Sequence, residues 1–180
     1  AKIMLALAIY RHRVATEAEL ELGAQNLFFV GPSGCGKTFL VQSMAELVDR
    51  PFIRIDCAGM SSAGYAGRST EEIDRKINDA VGHNPRSRRN AIVLLDELDK
   101  KAESEHHNDV GGGKVQHELL SLIEAPNAPL FVACGAFNKM AGREDKTTAF
   151  KNVSVESLIE CGMIPELMRR FGGVVPLHPL

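Results

Sequence analysis

The stretch Gly31-Pro32-Ser33-Gly34-Cys35-Gly36-Lys37-Thr38 decides how the rest of the chain is read. It is a glycine, four free positions and then Gly-Lys-Thr, and its flanks supply the context that a phosphate-cradling turn needs. Upstream, Leu27-Phe28-Phe29-Val30 is a short apolar run expected to be a buried strand. Downstream, Leu40, Val41, Met44, Leu47 and Val48 recur at helical spacing. The loop is therefore expected to close onto a helix N-terminus, where free backbone N–H groups and the positive end of the dipole favour phosphate. Gly34 and Gly36 let the backbone wrap closely, Lys37 can reach terminal phosphates, and the Thr38 hydroxyl can hold a magnesium ion. With Pro32, Ser33 and Cys35 completing the turn, residues 32–38 are the candidate binding set for a nucleoside triphosphate. A chance glycine turn before an amphipathic helix is the plainer alternative, but it leaves the match at every fixed position unexplained.

The chemistry needs a second half, and Ala91-Ile92-Val93-Leu94-Leu95 running into Asp96-Glu97-Leu98-Asp99 supplies it. A strand buried on both faces reads as a continuous apolar run. At its carboxyl end Asp96 can hold the magnesium ion, often through water, and Glu97 can polarise an attacking water. Alone, this would be a strand followed by a solvated acidic turn; the phosphate loop gives it meaning.

Composition sets the frame. The 180 residues fit one globular domain, and a 44% hydrophobic content is enough for a core. Lys and Arg number 21 against 23 Asp and Glu, a formal charge of −2, so no global field draws the chain toward nucleic acid or a membrane. The four cysteines, 35, 57, 134 and 161, show no C-x-x-C spacing and one lies inside the phosphate loop. Free thiols in a reducing compartment are expected, rather than disulfides or a zinc site, which points to the cytoplasm. The apolar opening Ile3 to Ile9 is too short to span a bilayer. A start at Ala1 and an end just past an apolar run suggest a piece of a longer protein.

Along the rest of the chain, Ile3 to Val14 predicts a helix apolar most of the way round and hence mostly buried, followed by a polar connector to Gln25. Phe52 to Asp56 is a second strand, Leu130 to Cys134 a fourth, and Val174 to Leu177 a fifth at an edge. Tyr65 sits among Gly64, Ala66 and Gly67, and the residues alone leave it either an exposed functional ring or a ring folded over the core. Ser69 and Glu72 form a capping box opening a helix with Ile73, Ile77 and Val81. Pro85 to Asn90, carrying Arg86, Arg88 and Arg89, reads as a solvated polar loop, and Met140 to Lys151 as loop as well. His106 and His107 are adjacent and so unsuited to share one metal. Val115 to Ile123 and Val155 to Cys161 are helices, and Pro165 is a first-turn proline for a helix bearing Arg169 and Arg170. Strands alternating with helices imply an α/β fold, a parallel sheet covered on both faces with ligand at the strands' carboxyl ends.

Taken together, GPSGCGKT, the loop Gly64-Tyr65-Ala66-Gly67, LLDELDK at 94–100, DVGGGKVQHELLSLIE at 109–124, LFVACGAF at 130–137 and CGMIPELMRRF at 161–171 resemble the AAA+ ATPases, and within them the ClpX and HslU family of ring-forming protein unfoldases. The resemblance covers nearly the whole chain. It implies the family's large ATPase subdomain over residues 1–180, a three-layer αβα P-loop NTPase fold with five parallel strands, residues 1–25 forming an N-terminal helix and connector. It implies ATP and Mg2+ as cofactors, a homo-oligomeric ring, a hexamer in the full-length protein, and polypeptide substrates drawn through its pore. Tyr65, with Ala66, would be the pore-loop grip, and Asp109 to Lys114 would lie in a second pore loop. Glu97 and Arg170 would be catalytic, Arg170 as a finger reaching the neighbouring subunit's nucleotide, with Arg169 as the alternative one residue earlier. The sensor position at the end of the fourth strand stays open around Cys134.

Departures from the family pattern are also legible. The small helical lid has no counterpart before Leu180, and the tripeptide that docks a peptidase has none between Met140 and Lys151, so a peptidase partner is not carried over. Two other functions remain open: a nucleic-acid motor or loader on the same core, suggested by the arginines at 86–89, and a non-catalytic fragment, suggested by the missing lid.

Overall fold

A computed structural model describes residues 1–18, 26–60, 70–102, 112–138, 150 and 153–179. Five parallel strands form one sheet: β1 (Asn26–Val30), β2 (Phe52–Asp56), β3 (Ile92–Asp96), β4 (Leu130–Gly135) and β5 (Phe171–Pro176), in the order β2-β3-β4-β1-β5. Every residue of β1, β3 and β4 is buried, because helices cover both faces and alternate side chains enter different layers. Phe28, Val30, Val93, Leu95 and Phe131 pack on one side with α3 (Thr70–Ala80) and α5 (Gly112–Ile123). Leu27, Phe29, Ile92, Leu94 and Val132 pack on the other with α1 (Lys2–Glu17) and α2 (Lys37–Leu47).

Edge positions explain the strands that read less cleanly. β2 carries Arg54 and Asp56 exposed beside buried Ile53 and Ile55, so it alternates where central strands do not. β5 starts earlier than its apolar run, at Phe171, and pairs only with β1, which leaves room for Pro176 in an edge strand.

The first corrections to the sequence expectations concern two helices. The first helix runs to Glu17 and is not buried all round: Leu5, Ala8, Ile9, His12 and Ala15 form one packed stripe, while Ile3 is 82% and Tyr10 63% exposed. A near-continuous apolar pattern hides which third of the circumference meets the core. The arginine stretch is not a loop but helix α4 (Pro85–Asn90), opened by an Asn84 side chain that accepts from the Arg86 and Ser87 amides, with Pro85 at its first position. Its Arg88 is buried and donates to Asn78 Oδ1 and Asp74 Oδ1, both at 2.6 Å, pinning α4 to α3. The basic run is thus partly spent inside the fold.

The helix α6 (Val155–Glu160) has a Ser154–Ser157 capping box and ends before Gly162, whose φ of 99° suits glycine. Pro165 opens the four-residue helix α7 (Pro165–Met168), so Arg169 and Arg170 follow the helix instead of riding on it. Gly112 to Lys114 belong to α5, and so of the expected second pore loop only residues 109–111 remain to be placed, outside the described residues. Tyr65, Ala66, Ser69, His106 and His107 lie outside them too, as does the segment 140–151 apart from Phe150, which is buried against the core.

Candidate functional site

The site grows from the carboxyl ends of β1, β3 and β4. After Val30 the chain turns with Gly34 and Gly36 at φ values of 81° and 83°, a left-handed backbone that a side chain would strain, and enters α2 at Lys37. Gly31 is needed for a different reason: a Cβ there would lie 2.4 Å from the Leu177 carbonyl oxygen, just where the chain leaves β5 and the Leu177 amide bonds to Val30. The loop is therefore seated against the strand on its far side.

Lys37 stays inside the loop. Its Nζ donates to the carbonyls of Gly31 at 2.6 Å and Pro32 at 2.9 Å, which holds the ammonium in the concavity that the loop forms. Cys35 is buried beneath the turn, 3.7 Å from the same nitrogen, whereas Ser33, Gly34 and Gly36 line the open side. Thr38, the first-turn hydroxyl, donates to Asp96 Oδ2 at 3.1 Å across the gap between α2 and β3. The phosphate loop and the strand-end acid, 58 residues apart, thus meet as the spacing argument requires.

Asp96 is nearly buried, and its other oxygen accepts the Glu97 amide. Glu97 is exposed and adopts a φ of 55°, unusual for a residue with a side chain, as the chain leaves β3 for a 3₁₀ turn at Leu98–Lys101. Strain of this kind costs about 1–3 kcal/mol and concentrates at functional sites. Here it turns consecutive carboxylates in different directions, Asp96 inward to Thr38 and Glu97 to the open cleft. Ser33, Gly34, Gly36, Lys37, Thr38, Asp96 and Glu97 share this open cleft.

The cleft also holds residues that sequence reasoning passed over. Arg54, from β2, donates through Nε to Asp96 Oδ2 at 3.0 Å, and its Nη2 completes an ion pair with the same oxygen at 2.8 Å. Phe39, 76% exposed, lines the same cleft. The signal for Phe39 was a large apolar residue out of phase with the buried face of α2; for Arg54 it was a cation between two buried isoleucines of an edge strand. Cys134 does not face the cleft: it is fully buried on the α1–α2 side, and burial, with Asp96 nearby, pushes its thiol far up, so it stays protonated. Gly135 and Ala136 line the cleft at that strand end instead.

Arg170 is elsewhere. Its carbonyl accepts from Asn26 at the first residue of β1, and its guanidinium pairs with Glu124 just past α5. It stands at the amino end of the sheet, with the length of β1, about 13 Å, between it and the phosphate loop of its own chain.

The profile of the ATPase family associated with various cellular activities (AAA) matches residues 27–154, from the first strand past the acidic strand end and the fourth strand. The chain belongs to the AAA family of ATPases. Among curated relatives, this AAA chain is 30% identical over 220 aligned positions to the ATP-dependent Clp protease ATP-binding subunit ClpX 2 of Wolinella succinogenes, an alignment taking in all of the chain and 55% of the relative. The chain thus spans about half the length of that relative. Among the described residues no helix is long and apolar enough to cross a membrane.

Proposed function

We propose that this AAA module binds Mg-ATP in the cleft at the strands' carboxyl ends, hydrolyses it, and, within a ring of like subunits in the full-length protein, uses the energy to pull polypeptides through a pore. The observation that carries the nucleotide part is the Thr38–Asp96 hydrogen bond, which joins the two halves of the chemistry beside Lys37 and Glu97. Thr38 and Asp96 offer hard oxygen donors, and among the described residues no group of three or more His, Cys, Asp or Glu stands ready to cage a metal. That donor set fits magnesium, which takes one carboxylate, a hydroxyl and the substrate's phosphates. When bound, the ion neutralises charge on the phosphates. Residues 32–38 wrap those phosphates, Lys37 compensates their charge, and Glu97 orients and polarises the attacking water from the open side.

The finer reading, polypeptide translocation, draws on the likeness to ClpX 2 and on Tyr65 and Ala66 in the glycine-flanked loop. An amphipathic ring can grip varied side chains with little demand on sequence. In the assembled protein, Tyr65→Ala is expected to abolish unfolding of a tagged fluorescent substrate, while the ATPase rate measured in the same samples falls far less. A variant that melts early and loses both activities together would mark Tyr65 as a core residue and overturn the grip. The same assembly is expected in the cytoplasm, with no nucleic-acid substrate.

A further inference from the structure

Arg54 stands one strand away from the phosphate loop, yet it contacts the acid that the loop needs. β2 and β3 run parallel in a register that pairs Arg54 with Leu94 and Asp56 with Asp96. A long side chain at 54, leaning toward the carboxyl end, therefore arrives at Asp96. Arg54 Nε donates to Asp96 Oδ2 with Nη2 2.8 Å from the same atom, and Thr38 Oγ1 donates to it as well, so two hydrogen bonds and an ion pair crowd one carboxylate oxygen. The other oxygen accepts the Glu97 amide. The Asp96 side chain is only 10% exposed and fixed, whereas that of Arg54 is 58% exposed on an edge strand and free to leave. Each carboxylate oxygen offers two lone-pair sites: those of Oδ2 are taken by Thr38 and Arg54, and Oδ1 keeps one beside the Glu97 amide.

We propose that Arg54 is a resident cation of the nucleotide site, standing in for the divalent ion beside the nucleotide's phosphates and competing with that ion for Asp96. This rests on the reading of the cleft as a magnesium-nucleotide site. While Arg54 holds Oδ2, a hard cation or its water finds no free lone pair there, so the guanidinium raises the magnesium concentration that the site requires. Without the ion, Arg54 supplies positive charge in the cleft with Ser33, Gly34 and Lys37, where the remaining donors of a planar fork suit phosphate oxygens. It therefore opposes the ion and supports the anion, and its loss moves the two in opposite directions.

Binding of a fluorescent ADP analogue, followed by anisotropy in EDTA and across a magnesium titration, reads both effects without turnover. For Arg54→Ala we expect magnesium-free affinity to fall and the magnesium concentration for half-maximal binding also to fall, each by about three- to tenfold. Arg54→Gln is expected to follow Arg54→Ala, and Arg54→Lys, which keeps the charge but not the fork, to lie between it and the wild type. An unchanged magnesium requirement, or an affinity loss of equal size with and without magnesium, would overturn the competition while leaving the nucleotide site standing. A wild-type protein that binds no nucleotide at any magnesium concentration would overturn the site and this inference with it.

Discussion

Lys37 and Glu97 line one cleft and are held there by different means, so their removal should not be equivalent. Lys37 is locked into the loop by two carbonyls and Glu97 faces open space; in the proposed reaction the first would neutralise the ground-state charge of the phosphates and the second would act on water only as the bond breaks. Lys37→Ala is expected to weaken ATP binding by tenfold or more, about the worth of a charge-assisted hydrogen bond. Glu97→Gln keeps shape and is expected to bind ATP normally but turn it over at least about a hundredfold more slowly, the usual scale of a lost general base. Equilibrium ATP binding beside steady-state hydrolysis, for both variants in the full-length protein, checks the pair; equal loss of binding would refute the division of roles. Both residues were legible because local patterns announce them, the glycine spacing for one and the abrupt end of an apolar run for the other. Arg54 was not. Its contact with Asp96 depends on which strand lies beside β3 and in what register, and a separation of 42 positions along the chain hides that neighbour.

Helix α1 shows the same limit at the scale of elements. Its existence was clear from the apolar run, but the packed stripe was not, since residues on every side satisfied the same criterion. The element that fixes its orientation is a polar one. His12 is buried against Arg50, whose Nη1 lies 2.9 Å from Nδ1, a contact that a neutral ring nitrogen accepts and an imidazolium cannot. Desolvation, then the charges of Arg50 and Arg89, push its pKa from 6.5 down to about 4, against a hydrogen bond to the Ala128 backbone. Above 6.5 the ring is neutral whether the chain is folded or not, and stability is complete. Between 6.5 and about 4 the unfolded chain takes up a proton that the folded helix refuses, so stability falls with pH across that window, by about 3 kcal/mol at most. Urea unfolding at pH 7 and pH 4.5 should show the loss in the wild type and a smaller one in His12→Gln. Equal losses in both would mean that His12 titrates normally. Helix α4 was missed for an opposite reason: its six residues bury only Arg88, so no apolar period signals it, and the Asn84-Pro85 start was the one available sign.

At the scale of the whole molecule, the sheet separates two sets of residues for which catalytic roles are proposed. The phosphate loop leaves the carboxyl end of β1, and Arg170 enters the sheet at the amino end of the neighbouring β5. No rearrangement short of unfolding brings that guanidinium to its own cleft, so an arginine that serves the reaction must serve another subunit's, which calls for a head-to-tail contact that closes into a ring. In the monomer Arg170 rests on Glu124, a half-exposed pair worth about 0–1 kcal/mol and readily exchanged for a phosphate. An arginine offered across an interface contributes roughly a thousandfold or more in rate. Arg170→Ala and Lys37→Ala, each assembled alone as full-length protein, should therefore be nearly inactive, one lacking every finger and the other every competent loop. Mixed one to one, about a quarter of the interfaces pair an intact loop with an intact finger, and hydrolysis should return to a corresponding fraction of the wild-type rate. Rates in the mixture no higher than the average of the separate variants would place Arg170 outside the reaction. If Arg169→Ala carried the defect in the same experiment, the finger would be the preceding residue, and the geometry of the argument, an arginine at the amino end of β5, would be unchanged.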